Sequence, residues 1–133
     1  MATDTGPVND QSFEAAGDLS AEANQFKFVK LDAAGKVVAI AAITDRPIGV
    51  LQNRPALGQM ATVRVVGSTK LQADAALATP GTIIGTSADG QADAKTLADA
   101  GTEFAVGITK DVAGGAGEII ECFVDCINAR KAS

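Results

Sequence analysis

Glycine turns interrupt this chain at intervals too short for long helices, and that spacing restricts its fold more than any other feature. Between residues 26 and 66, four extended segments follow one another, and each ends in a turn: 26–31, 37–43, 48–51 and 61–65. The last of them alternates apolar and polar residues, which is typical of a half-buried strand. We therefore predict a mainly β fold, either a small β-barrel or a β-sandwich-like domain of short strands and glycine turns.

The first two segments predict a hairpin. Gly35 lies in the loop between them and can adopt the positive φ that a hairpin loop of three to five residues requires. Phe26 and Phe28 fall on one face of the first strand, whereas Val29 and Leu31 fall on the other. Either a bulge interrupts this strand, or both of its faces are covered.

The last third of the chain resembles the middle. Residues 105–108 and 47–50 both place apolar residues around a glycine, and each segment is followed by a glycine-containing loop and a β-rich run. These runs are 61–66 and 118–124. We predict two copies of a strand–loop–strand unit that form two halves of one barrel. Chance similarity in a chain rich in glycine and valine is the alternative.

Two stretches between these copies have weaker patterns. Residues 71–77 fit one helical turn or an irregular strand, because their alanines suit both. Residues 91–102 are consistent with a short helix or an exposed loop. Between them, residues 82–86 predict a strand, and Asp89-Gly90 predicts a hairpin turn.

The excess negative charge lies at the N-terminus. The net charge is −5, and residues 1–26 contain five acidic residues and no basic one, so the remainder is neutral. We predict an extended acidic arm over residues 1–20, a β domain over 21–126 and a solvated tail over 127–133. The arm is either a flexible leader or a segment that orders along a partner. Its spaced apolar residues favour the partner, and the candidate contact residues are Pro7, Val8, Phe13 and Leu19.

Several functional classes are disfavoured. A neutral body has no electropositive stripe for nucleic acid. No apolar run approaches the roughly 20 residues that span a bilayer, and the N-terminus does not resemble a signal peptide. We therefore expect a soluble protein that is synthesised in the bacterial cytoplasm and binds neither nucleic acid nor membrane.

The chain has no histidine, which is the usual proton-transfer group near neutral pH and the commonest metal ligand. Histidine-dependent triads and most zinc sites are thereby excluded. We predict that the protein is not an enzyme and that it has no catalytic residue, metal, cofactor or small-molecule substrate.

Other candidate motifs also fail on spacing. Residues 67–70 contain phosphate-loop residue types in the wrong order, and the glycines of 114–117 precede no helix pattern. Asp89, Asp93 and Asp99 lack the spacing of a calcium loop. Cys122 and Cys126 are too far apart on a strand to pair with each other, so we predict two small buried thiols.

Together these segments resemble a family of small bacteriophage head proteins, the capsid cement or decoration proteins. The resemblance rests on the order of short segments rather than on any single one: 17–20, 26–32, 35–38, 48–53, Pro55, Gly58, 61–65, Gly67, 106–108 and 117–120. Residues 69–102 match this family only loosely. The family has no enzymatic motif.

The resemblance implies a structural virion protein, typically a homotrimer, on the outer face of an icosahedral head. Such proteins bind the major capsid protein and cement adjacent subunits against internal pressure. One alternative is a head fibre or knob protein that contacts the host surface. Another is a small enzyme that uses Asp or Lys, although no spacing in the sequence proposes its site.

Overall fold

The structure is a computed structural model, and it describes residues 8–133. Eleven β-strands and one short 3₁₀-helix (Glu22–Asn24) follow one another along this part of the chain. The strands are β1 (Asn9–Glu14), β2 (Phe28–Leu31), β3 (Val37–Ala39), β4 (Gly49–Leu51), β5 (Met60–Gln72), β6 (Ile83–Thr86), β7 (Ala92–Ala94), β8 (Glu103–Ala105), β9 (Gly107–Thr109), β10 (Ile119–Asp125) and β11 (Arg130–Ala132). The predicted mainly β fold is confirmed.

Most strands belong to one curled sheet that forms a half-barrel. Its order is β3-β2-β4-β5-β10-β9-β6-β7, and β1 pairs with β5 beside this path. All of the pairings between these strands are antiparallel. A separate two-stranded ribbon consists of β8 and β11.

The core lies on the inner face of the curled sheet. Along β5, alternate residues are buried, and Ala61, Val63 and Leu71 have no exposed surface. Residues of β2 break the simple alternation, because Phe28 and Val29 are both almost fully buried. Both faces of this strand are therefore covered, which was one of the two alternatives for it. Burial of such apolar side chains contributes about 1.5–3 kcal/mol each.

The sheet consists of two similar halves. In the first half, the hairpin β2–β3 lies beside β4, which pairs with the first part of β5. In the second half, the hairpin β6–β7 lies beside β9, which pairs with β10. The two halves join where β10 pairs with the last part of β5, in the register Ile119↔Gln72 to Asp125↔Val66. The predicted repeated unit is confirmed and includes the preceding hairpin as well.

The two hairpin turns have the same hydrogen bonds. The Asp32 carboxylate accepts bonds from the backbone N–H groups two and four residues later, and the Ser87 hydroxyl does the same in the second half. Gly35 and Gly90 follow at equivalent places, with φ angles of 77° and 83°. Two further pairs of positive-φ residues match between the halves: Phe26 with Gly81 and Gly58 with Gly117. Backbone conformation is thus repeated even where the side chains differ.

Gly49 and Gly107 occupy equivalent places where two strands approach closely. A Cβ on Gly49 would lie 2.5 Å from the carbonyl oxygen of Arg64. A Cβ on Gly107 would overlap the carbonyl oxygen of Phe123. Glycine at the centre of each predicted unit is therefore a packing requirement rather than a turn signal.

One predicted strand is shorter than expected. The run 37–43 ends as a strand at Ala39, because Asp45 fastens the chain into a turn. Its carboxylate accepts hydrogen bonds from two backbone N–H groups of that turn and from Lys30 at 2.8 Å. The hydrogen bond from Lys30 is the largest of the effects that hold the pKa of Asp45 below its usual value.

The structure also tests the predictions for residues 71–77, 91–102 and 127–133. β5 continues to Gln72, so a helical turn within 71–77 is wrong. No helix forms within 91–102, where β7 is followed by turns. The tail 127–133 is not simply solvated, because β11 pairs with β8 and Ala132 is fully buried, although Arg130 and Lys131 are exposed.

We predict that Gly107→Ala lowers the free energy of unfolding by about 1–3 kcal/mol, because its new methyl group must displace the backbone of β10. The melting temperature should fall by about 4–12 °C. Gly115→Ala is the matched control, since a Cβ there would meet nothing within 4 Å. Equal melting temperatures for the two variants would contradict the close approach.

Candidate interaction surfaces

An apolar surface lies on the outer face of the second half. Ile108 is 40% exposed and Phe123 is 47% exposed, and these residues are direct neighbours on β9 and β10. Together with half-buried Ile83 they line a cleft of about 360 Å³. The ammonium of Lys110 lies 4.8 Å from the centre of the Phe123 ring. The lining of the cleft is mainly apolar, and it also includes the polar residues Asp125, Asn128 and Arg130.

Sequence reasoning missed this surface, although β10 carried a signal for it. The strand alternates between exposed and buried residues, and its outward positions are Ile119, Glu121 and Phe123. Two apolar residues on the solvent face of an alternating strand indicate an interaction surface rather than a core face. The equivalent outer position to Phe123 in the first half is Arg64, which is polar.

A second surface is the outer edge of β1. This strand pairs with the first part of β5 along one edge, and five of its six residues are exposed. Two ion pairs hold it: Arg64 with Asp10 at 2.8 Å, and Lys36 with Glu14 at 2.7 Å. The hydrogen bond that Lys36 donates to Glu14 is the largest of the effects that raise the pKa of Lys36 above its usual value. Within residues 8–133 no strand pairs with the other edge of β1.

The predicted contact residues of the arm have different environments. Pro7 lies outside the described residues. Val8 is 41% exposed, whereas Phe13 is half-buried and packs against the core. Leu19 is only 5% exposed and belongs to the core. Their contact with a partner stays a prediction, and of the three described candidates Val8 is the most exposed.

Buried charge is concentrated at Lys95. Its side chain is 1% exposed, and its ammonium forms ion pairs with Asp93 and Glu103. These bonds join β7 to the β8–β11 ribbon. Two carboxylates thus compensate the charge of this buried ammonium. Among residues 8–133 no group of three or more Cys, Asp and Glu side chains could hold a metal ion.

The two cysteines are free, buried thiols, as the sequence predicted. Burial is the main cause that raises the pKa of Cys122, and of Cys126, to about 12. The thiolate is the reactive form of cysteine, so we expect both thiols to react slowly in the folded protein. In the part of the chain that the structure describes, no helix is long and apolar enough to cross a membrane.

Comparison with solved structures shows a likeness of fold. No family model matches the chain, and no curated protein matches it. The chain is similar in structure to the N base of the head fibre gp8.5 of bacteriophage phi29, with a TM-score of 0.63 and 14% sequence identity. The likeness covers 96% of this chain and 99% of the other. The two proteins therefore share a fold over nearly their whole compared lengths.

We predict that both cysteines resist alkylation in the folded protein. Near pH 8 a thiol with a pKa of about 12 is almost entirely protonated, so iodoacetamide should label the native protein at least about 100-fold more slowly than the urea-unfolded protein. Well below the pKa the thiolate fraction rises about tenfold per pH unit, so labelling of the folded protein should rise in the same proportion with pH. Mass spectrometry of intact protein provides the measurement. Equal rates for folded and unfolded protein would contradict the burial of the thiols.

Proposed function

We propose that this protein is a structural component of a bacteriophage virion that decorates the outer face of an icosahedral head. Its partner would be the major capsid protein, and the protein would cement adjacent capsid subunits as a homotrimer. The observation that carries the proposal is the likeness of fold to the base of a phage head fibre along nearly the whole chain. The ordered segments that resemble capsid decoration proteins support it independently.

The surfaces suit attachment to other proteins. A strand edge can add to a partner sheet through backbone hydrogen bonds, which require no large apolar patch. The edge of β1 and the cleft beside Phe123 offer both kinds of contact. Each copy would contribute a modest contact, and linked copies would bind with much higher avidity than one. Cementing therefore needs no tight single site.

One residue of the arm, Val8, is a specific candidate for contact with the capsid. Val8 is exposed and precedes the first residue of β1, so its side chain can contact the capsid while β1 remains paired with β5. A buried residue such as Leu19 could contact a partner only if the core opened. We therefore place the capsid contact of the arm at Val8 and the residues before it.

The likeness to a head fibre base also favours a second function. In this alternative the protein would be a head fibre or knob component that contacts the host surface. Binding to whole host cells, measured beside binding to heads, distinguishes the two functions. A decoration protein should bind heads and not cells.

We predict that the purified protein binds phage heads that lack it, and that its copies saturate at a fixed ratio to the major capsid protein. Val8→Ser should weaken this binding, since it removes an apolar contact from the arm. Co-sedimentation of heads and protein, quantified by gel densitometry, measures the ratio.

Val112→Ser is the matched control for this measurement. Val112 is 44% exposed, close to the 41% of Val8, but it lies in the loop between β9 and β10. It should therefore bind heads as the unmodified protein does. Absence of binding by the unmodified protein would contradict the proposed function, and equal binding of both variants would contradict the role of Val8.

A further inference from the structure

The two halves contact each other through different surfaces. The first half offers the segment Phe26–Phe28, and the second half offers the outer edge of the last part of β5 together with the turn at Gly90. The N–H of Phe28 donates to the Gly90 carbonyl at 2.7 Å, and the N–H of Gln72 donates to the Phe26 carbonyl at 2.9 Å. We name the segment Phe26–Phe28 the seat surface. We name the outer edge of the last part of β5, together with the turn at Gly90, the edge surface.

Each half contains an equivalent of both surfaces. The N–H of Phe26 donates to the carbonyl of Leu51, and the N–H of Gly81 donates to that of Thr109, so the seat surface of the second half is residues 81–83. Ala15 and Ala73 form equivalent parallel bridges with the two hairpins. The edge surface of the first half is therefore the outer edge of β1 with the turn at Gly35.

These two remaining surfaces are exposed where their counterparts are buried. On the seat side, Val50 is fully buried but its counterpart Ile108 is 40% exposed. Beside them, Phe28 is 1% exposed, whereas its counterpart Ile83 is half-buried.

The same difference holds on the edge side. A Cβ on Gly90 would lie 2.8 Å from the Phe28 carbonyl oxygen, whereas a Cβ on Gly35 would meet nothing within 4 Å. Leu71 is fully buried, but its counterpart Phe13 is only half-buried. Within residues 8–133, each chain thus has one edge surface and one seat surface that its own halves leave uncovered.

We propose that the uncovered edge surface of one copy of this chain binds the uncovered seat surface of a second copy. The contact inside the chain is its template, and the occupant is therefore a second copy rather than an unrelated protein. Such a contact is head-to-tail, so copies close into a ring if the rotation between them permits it and otherwise form a filament. This inference does not depend on binding to a phage head.

The backbone of β1 is correctly oriented for this contact. The N–H of Ala15, the residue after β1, points toward the β5 side and donates to the carbonyl of Gln59, the residue before β5. Neighbouring residues of a strand point in opposite directions, so the N–H of Glu14 points away from β5. Glu14 is the counterpart of Gln72, whose N–H makes the internal contact. In the assembly the N–H of Glu14 donates to the Gly81 carbonyl of the next copy.

The contact between the two halves of one chain and the proposed contact between copies share their backbone geometry but differ in their side chains. Gln72 also donates through its side-chain amide to the carbonyls of Ala23 and Gln25. The side chain of Glu14 is a carboxylate rather than an amide, and it pairs with Lys36 instead. The proposed contact therefore depends on backbone hydrogen bonds and on the apolar residues Ile108 and Phe123.

Sedimentation velocity of the full chain tests this arrangement with two pairs of variants. Glu14→Pro removes the outward N–H without removing a bond to β5, and its control Glu14→Ala keeps that N–H while losing the same ion pair. Phe123→Ser removes an apolar side chain from the seat side, and its control Leu57→Ser changes a residue that is 68% exposed in a loop outside both surfaces.

The unmodified chain and both controls should self-associate. Glu14→Pro and Phe123→Ser should each raise the dissociation constant at least about tenfold, because each loses a contact that the partner cannot replace. Circular dichroism must show that all four variants are folded. A monomeric unmodified chain, or association that neither variant weakens, would overturn the proposal.

Mixing the two weakened variants tests the head-to-tail geometry itself. The intact edge surface of Phe123→Ser can still bind the intact seat surface of Glu14→Pro. The mixture should therefore form a heterodimer and nothing larger, at concentrations where each variant alone is monomeric. A symmetric contact between two identical edges gives no heterodimer, and that result would overturn the head-to-tail arrangement.

Discussion

The structure depends on one long strand that both halves share. β5 runs without a break from Met60 to Gln72. Its first part pairs with β4 of the first half, and its last part pairs with β10 of the second half. Gly67, with a φ of 125°, lies near the point where the pairing of β5 changes from β1 and β4 to β10. Backbone hydrogen bonds from β1, β4 and β10 all meet on this strand. Register errors there would therefore misplace both halves, since a slip of one residue turns the buried face outward.

Much of the fold follows from local sequence patterns. The alternation of 61–65, the turn at Gly35 and the two apolar units around Gly49 and Gly107 each predicted a feature that the structure contains. They succeeded because strand alternation and positive φ are encoded within a few residues. The repeat was visible only in part, because its equivalent residues share backbone conformation more than chemistry. Phe26 and Gly81, for example, are equivalent in φ but unlike as side chains.

Side-chain hydrogen bonds and long-range strand pairing set the features that the sequence did not reveal. The early end of β3 depends on Asp45, and the pairing of the tail depends on β8, which is more than 20 residues away. The candidate surfaces were also only partly predictable. The acidic arm was a prediction from charge and spacing, whereas the burial of Leu19 and the exposure of Phe123 are set by how the sheet curls.

A sheet of this kind suits a mechanical role. Its two halves contact each other through backbone hydrogen bonds, and within residues 8–133 the outer edge of β1 remains unpaired and open to other chains. The most direct test of the proposed function is a cryo-electron microscopy map of the virion that encodes this chain. The account predicts density for the chain on the outer face of the head, across the seams between major capsid protein subunits. Virions whose heads contain no copy of the chain, confirmed by mass spectrometry, would contradict it.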